Sequence, residues 1–246
     1  PHFEDVQHHY DLSDEFFELF LDPTRTYSCA YFERDDMSLE QAQIAKIDLA
    51  LDKLGLQPGM TLLDIGCGWG AASLRAQARF DVDVVALTLS RNQQAYVEGL
   101  LAASGSPRSS RVLLEGWERF HEPVDRIVAI GPLEHFGYDR YGEFFSRAYE
   151  LLPADGTMLL HCIVASSQAE LDDRNLPITM PLLRFFKFII DDIFPGGRLP
   201  LVSLVEEHAT RAGFAVSRVQ PLQRHYARTL DLWSAALESR RDEAIA

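Results

Sequence analysis

The densest chemical pattern in the chain is Thr61-Leu62-Leu63-Asp64-Ile65-Gly66-Cys67-Gly68-Trp69-Gly70. An apolar run ends in an aspartate, three alternate glycines follow, and an Ala-rich stretch from Ala71 to Phe80 comes next. This reads as strand, turn and helix. Glycines carry no Cβ, so the turn is tight and a ligand can lie against its main chain. The spacing is G-x-G-x-G, not the G-x-G-x-x-G of a dinucleotide fingerprint, and the acid precedes the glycines. An ordinary tight βα turn is the plain alternative. Two further groups could move a proton, Glu134 and His161. Taken alone, Glu134 reads as a solvated loop acid and His161 as a satisfied histidine at a strand end.

The elements that must position these residues follow from periodicity. Ser13 and the acids after it predict a short capped helix that Pro23 ends. It belongs to an aromatic-rich segment, residues 1–37, which either decorates the core or closes over a site as a lid. Ser38-Leu-Glu-Gln41 is a capping box, and Ile44, Ile47, Leu51 and Leu54 recur at helical spacing before Gly55. Strand and helix signals then alternate. Strands are predicted at Val82 to Leu89, Arg111 to Leu114, Val124 to Ile130, Thr157 to Val164 and Phe214 to Val219. Helices are predicted at Ser90 to Ala103, Tyr138 to Leu152 and Leu230 to Arg241, with a mainly helical insertion at 166–212. The alternation implies one α/β domain over 1–246, a mostly parallel doubly wound sheet with helices on both faces. Ligands of such sheets lie at the carboxyl ends of the strands. That singles out Gly66 to Gly70, Thr88 to Gln93, Gly116 to Glu118, Ile130 to His135 and His161.

Composition narrows the function. A net charge of −14 argues against nucleic acid and anionic membrane surfaces as partners. The longest apolar stretch, Leu182 to Ile190, is short and broken by Arg184 and Lys187, so no transmembrane segment is expected. Cys29, Cys67 and Cys162 are odd in number and lack metal-site spacing, which suits reduced thiols in a soluble, cytoplasmic protein.

Residues 61–70 resemble motif I of the class I S-adenosylmethionine (SAM) methyltransferases, whose fold is Rossmann-like. A longer set of strings resembles the mycolic acid cyclopropane synthase and methyltransferase family. The set comprises Asp22-Pro23, Thr26 to Arg34, the helix Glu40 to Leu54, Leu56 to Gly70, Gly116-Trp-Glu118 and Glu134-His-Phe136. Leu159-Leu-His161, Ile193 to Pro200 and His225-Tyr226 complete it. The resemblance implies transfer of a SAM methyl to a double bond of a very long meromycolic acyl chain on an acyl carrier protein. By the same route Tyr27 and Ser28 touch the cofactor from the lid. Asp64, Gly66, Cys67, Gly68 and Gly70 hold its methionine part, Thr88, Leu89 and Gln93 its ribose side, and Trp117 and Glu118 its adenine. Gln93 has a plain alternative, because Ser90-x-x-Gln93 is also a capping box. The family also holds a bicarbonate ion, and its contacts map to Glu134, His161 and Tyr226, with main-chain groups near Cys29 and Ile130.

The implied chemistry needs no nucleophilic side chain. Methyl transfer to an alkene leaves a carbocation, which aromatic faces stabilise by about 0.5–2 kcal/mol each. Tyr10, Tyr27, Trp69 and Phe136 are candidates for that role. A small oriented base then removes a proton so that the ring closes. Water at the same cation gives a methyl-branched alcohol instead. Gly131-Pro132-Leu133 and Cys162 depart from the family pattern beside this base, which leaves cyclopropane and hydroxyl products both open. The apolar run Ile178 to Phe194 suits either a lining for the acyl chain or packing against the sheet. Arg184, Lys187, Arg198, Arg224 and Arg228 are candidates for a basic face toward an acidic carrier. The family pattern continues past Ala246 with a strand between those at 157 and 214, so the chain is expected to be a fragment or to omit a tail. A small-molecule O- or N-methyltransferase and an inactive SAM-binding homologue are the rival readings.

Overall fold

Side-chain alternation along the strands sets the layers. In a computed structural model, which describes residues 14–189, 191 and 199–245, five strands form one parallel sheet. They are β1 (Thr61–Ile65), β2 (Asp83–Thr88), β3 (Ser110–Leu114), β4 (Arg126–Ile130) and β5 (Thr157–His161), in the order β3-β2-β1-β4-β5. Pairing is in register from Thr61 opposite Asp83 to Ile130 opposite His161. Leu62, Val84, Ala86, Val112 and Val128 face one side; Leu63, Ile65, Val85, Leu87 and Ile127 face the other, as a period of two requires.

Three helices cover the first face: α2 (Leu39–Asp52), α3 (Ala71–Phe80) and α4 (Arg91–Ala103). The second face lies under α5 (Tyr141–Leu151), whose Tyr141, Phe144, Phe145 and Ala148 are buried against it. The expected order of elements and helices on both sides is therefore present. A short α1 (Asp14–Glu18) precedes this unit; its proposed cap Ser13 lies outside the described residues, as do Tyr10, Arg198 and most of Ile193 to Pro200. The insertion carries α6 (Gln168–Asp173), α7 (Met180–Phe188) and α8 (Val202–Ala212), and the chain continues through α9 (Gln223–Ser239) and α10 (Arg241–Ile245).

Several boundaries differ from the sequence expectation. Phe214 to Val219 is not a strand, because a strand needs a ladder partner and a groove separates these residues from β5. β5 stops at His161 instead of Val164, since the Ile163 amide leaves the ladder and donates to Glu134 Oε1 at 2.6 Å. α9 begins at Gln223, well before Leu230; its first turn has no side-chain cap to announce it. Residues 138–140 form a 3-10 turn ahead of α5. Among the described residues no helix is long and apolar enough to cross a membrane.

α9 holds the segment that follows α1. Thr229 Oγ1 accepts the Ala30 amide at 3.1 Å, and His225 Nδ1 accepts the Phe32 amide at 3.1 Å. Arg228 donates to Asp35 O at 2.8 Å and lies 4.1 Å from the Phe32 ring centroid.

Candidate active site

A cavity of about 210 Å³ opens above the carboxyl ends of β1, β2 and β4. The glycine turn forms its floor. Gly66 and Cys67 amides both donate to Leu87 O, at 3.0 and 2.9 Å, which fixes the turn against the end of β2. At Gly66, φ is +74° and an added Cβ would lie 3.0 Å from Pro132 Cβ, so a side chain there meets both strain and crowding. Asp64 is buried and accepts from Ser73 Oγ at 2.6 Å; burial lifts its carboxyl to about 6.

Tyr27, Ser28, Asp64, Gly66, Cys67, Gly68, Thr88, Leu89, Gln93, Trp117, Glu118 and Ile130 all line this one cavity. Gly70 does not. It starts α3 in the left-handed region at φ +81°, and a Cβ would meet Val97 Cγ1 at 2.8 Å, so its demand is helix packing. At Gln93 the cap alternative is only half made. Ser90 Oγ accepts the Gln93 amide at 3.3 Å, while the Gln93 side chain turns to Thr88, whose Oγ1 donates to Oε1 at 2.7 Å. The Ser38–Gln41 box closes in both directions, which shows the contrast. At the far end the Trp117 ring is buried under the Arg140 guanidinium, 4.8 Å from its centroid.

Glu134, His161 and Tyr226 lie near the ends of β4 and β5. Glu134 follows β4 in a 3-10 turn and is 2% exposed. Its Oε1 accepts from Ile163, but Oε2 is buried without a hydrogen-bond partner among the described residues. Burial raises this carboxyl to about 7. His161 Nδ1 is likewise buried and unpaired, and burial, with Lys46 and Lys53 nearby, lowers the ring to about 3, so it is neutral. Burial pushes the Tyr226 hydroxyl up, aided by Tyr27, Glu134 and Cys29, so these groups are neighbours. Burial also holds the Cys29 thiol at about 12, so it is no thiolate near neutrality.

Beside this cluster runs a groove of about 810 Å³ between β5 and residues 213–223. Cys29, His161, Cys162 and Tyr226 line it together with apolar Leu160 and Phe214. Of the candidate cation-stabilising rings, Trp69 and Tyr27 sit in one cluster with Phe17, at 5.0 and 5.4 Å between centroids. Phe136 packs in a different cluster, tilted against Trp117 at 5.5 Å, but lines the same cavity as Tyr27 and Trp69. In α7, Met180, Leu183, Phe185, Phe186 and Phe188 are exposed, and Lys187 pairs with Asp191.

Sequence reasoning passed over Gln43, Lys46 and Tyr141. Gln43 Nε2 donates to Ser28 O at 2.7 Å and Thr26 O at 3.2 Å; Lys46 Nζ donates to Ser28 Oγ at 2.8 Å. Both thus hold the segment that carries Tyr27 and Ser28. The signal was present: they fall on the buried stripe of α2 with Ala42, Ile47, Ala50 and Leu51. Tyr141 buries an unpaired hydroxyl near Glu134, in a helix whose stripe reads as plain core.

Known proteins share this arrangement. The family model described as mycolic acid cyclopropane synthetase matches residues 1–246. Cyclopropane mycolic acid synthase 1 of Mycobacterium tuberculosis is 65% identical over the whole chain, which spans 86% of it. The structure of the cyclopropane synthase MmaA2 from Mycobacterium tuberculosis superposes with a TM-score of 0.97 at 62% identity, over 100% of this chain and 86% of that one. Mycolic acid cyclopropane synthase CmaA1, crystallised with S-adenosylhomocysteine (SAH) and CTAB, gives 0.95 at 64% identity with the same coverage. The chain has the class I SAM-methyltransferase fold and belongs to the mycolic acid cyclopropane synthase family.

Proposed function

We propose that this SAM-dependent methyltransferase of mycolic acid biosynthesis acts on a carbon–carbon double bond of a very long acyl chain and closes a cyclopropane through a carbocation. The proposal includes delivery of the chain on an acyl carrier protein, a cytoplasmic setting consistent with three free cysteines, and a bicarbonate ion as base. The observation that carries it is a pair of buried polar atoms without partners among the described residues, Glu134 Oε2 and His161 Nδ1, in a chain that has a glycine-floored cavity at the strand ends and a larger groove lined by His161 and Tyr226.

SAM, when bound, supplies an electrophilic methyl; the residues that would hold it are those lining the smaller cavity. Bicarbonate, when bound, supplies a small base, and the donor set fits it. Glu134 Oε2 and His161 Nδ1 are buried polar atoms lacking partners, a state that costs about 1–3 kcal/mol each unless a ligand satisfies them. With its carboxyl at about 7, Glu134 retains a proton near neutrality and can donate as well as accept. Neutral His161 keeps its ring nitrogens available, and Tyr226 adds a hydroxyl whose proton burial retains. Buried aromatic rings at Trp69 and Phe17 keep water from the cofactor side and present π-faces. None of these groups needs to become a nucleophile.

The decisive experiment is mass spectrometry of an unsaturated acyl carrier substrate after incubation with the protein and SAM. The expected product gains one CH₂ and resists hydrogenation of alkenes. In Glu134→Gln, SAH binding persists while product formation collapses. A hydroxylated product would establish the alcohol-forming alternative, and methylation of a heteroatom in a small molecule would sink the proposal.

A further inference from the structure

Lys46 sits where a lysine is rarely tolerated. Its residue exposure is 3%, in the middle of α2, and its side chain borders both the cofactor cavity and the pocket that reaches His161. Buried ammonium groups are almost always paired, because leaving water costs several kcal/mol per ion. Among the described residues no carboxylate comes within salt-bridge distance of Lys46 Nζ; its hydrogen bond goes to the Ser28 hydroxyl at 2.8 Å. The nearest acids already serve others. Asp64 Oδ2 accepts from Ser73, and Asp22 accepts from the Thr24 and Thr26 amides at 2.9 and 3.2 Å.

An ammonium can only donate. Ser28 Oγ is therefore the acceptor in that bond, and its own proton is directed elsewhere. Ser28 lines the cofactor cavity together with Gly66 and Gly68. SAM carries two positive groups and one negative one, the carboxylate of its amino-acid end. We infer that Lys46 is a positioning residue for that carboxylate: it orients the Ser28 hydroxyl as donor and supplies the buried counter-charge. This rests on the SAM reading of the cavity.

Gln43 supports the same geometry by holding the Ser28 and Thr26 carbonyls. The arrangement makes α2, the helix that precedes β1 and the glycine turn, part of the cofactor site. Burial depresses the Lys46 ammonium to about 8, an effect that Cys29, Asp22 and Asp64 oppose.

The test compares two ligands by calorimetry in wild type, Lys46→Met and Ser28→Ala: SAH, and its decarboxylated analogue S-adenosyl-3-thiopropylamine, which keeps the amine. A charge-assisted hydrogen bond is worth about a ten- to hundredfold change in affinity. Lys46→Met is expected to lose about that much for SAH and to bind the analogue as wild type does. Ser28→Ala is expected to show the same selective loss, smaller in size, and covers the case in which Lys46→Met does not fold. Equal weakening of both ligands, or of neither, overturns the inference. Unchanged SAH affinity with an altered response to added bicarbonate would assign the charge to the base site and overturn it too. Wild type that binds no SAH would instead refute the cofactor reading beneath it.

Discussion

Glu134→Gln changes a charge while leaving shape nearly alone, and its effect on stability follows from the structure. The amide can still accept from the Ile163 amide, the bond that Oε1 makes at 2.6 Å. In the folded protein burial raises the carboxyl from 4.5 to about 7. The folded state therefore holds this proton more tightly than the unfolded chain, and folding takes up a proton between those values. The resulting stability is present in full below about pH 4.5 and is lost as pH climbs through about 7. At about 1.4 kcal/mol per pH unit the whole span is worth about 3 kcal/mol. The variant has no such proton to lose. Urea unfolding of both proteins without ligand, across about pH 5 to about pH 8, isolates the effect as a difference. His161 at about 3, Asp64 at about 6 and Lys46 at about 8 titrate abnormally in both proteins and cancel from it. Relative to wild type, the variant should gain about 2.5 kcal/mol between the ends of that range while losing methyl transfer. A stability difference that stays constant with pH would refute the claim that Glu134 is buried and proton-bearing.

Gly70→Ala combines φ +81° with a contact at 2.8 Å to Val97, and should cost about 1–3 kcal/mol by thermal unfolding. Gly68→Ala, at φ +54° with nothing within 4 Å, should unfold at a temperature between those of wild type and Gly70→Ala. Thr229→Val strands the buried Ala30 amide, costing about 1–3 kcal/mol, and should speed hydrogen exchange at residues 30–32. Cys29→Ala should retain methyl transfer, since a thiol at about 12 offers almost no thiolate at neutral pH; loss of turnover with SAH binding intact would show otherwise.

The legible parts of the fold were those dictated by local chemistry. Three glycines after Asp64 mark the turn whatever surrounds them, and period-two alternation in β1, β2 and β4 assigns both faces of the sheet. The Ser38 box marks the start of α2 for the same reason. What the sequence hid depends on partners. Phe214 and Val216 alternate like a strand, yet strand identity lies in a neighbour's hydrogen bonds, and these residues face a groove. The start of α9 has no cap, so only packing of Tyr226, Thr229 and Trp233 reveals it. Lys46 was hidden by a habit of reading helices through their apolar residues, although a lysine on a buried stripe is itself the anomaly.

The loop after β4 runs from the cofactor cavity to the end of β5. Gly131 donates its amide to His161 O at 2.8 Å, which ties the loop to the end of β5. Pro132 packs toward Gly66 and lines the cofactor cavity, Leu133 is fully buried in the core under α5, and Glu134 points across to Ile163. Four consecutive residues thus serve the cofactor floor, the core and the base cluster. The departures from the family pattern consequently differ in meaning. Leu133 answers to core packing, so its exchange acts on stability before chemistry. Cys162 lines the groove, and burial, aided by Glu134, holds its thiol at about 12. On the proposed carbocation route the choice between ring closure and capture by water would turn on the groups near Glu134, and of Leu133 and Cys162 it is Cys162 that lines the groove.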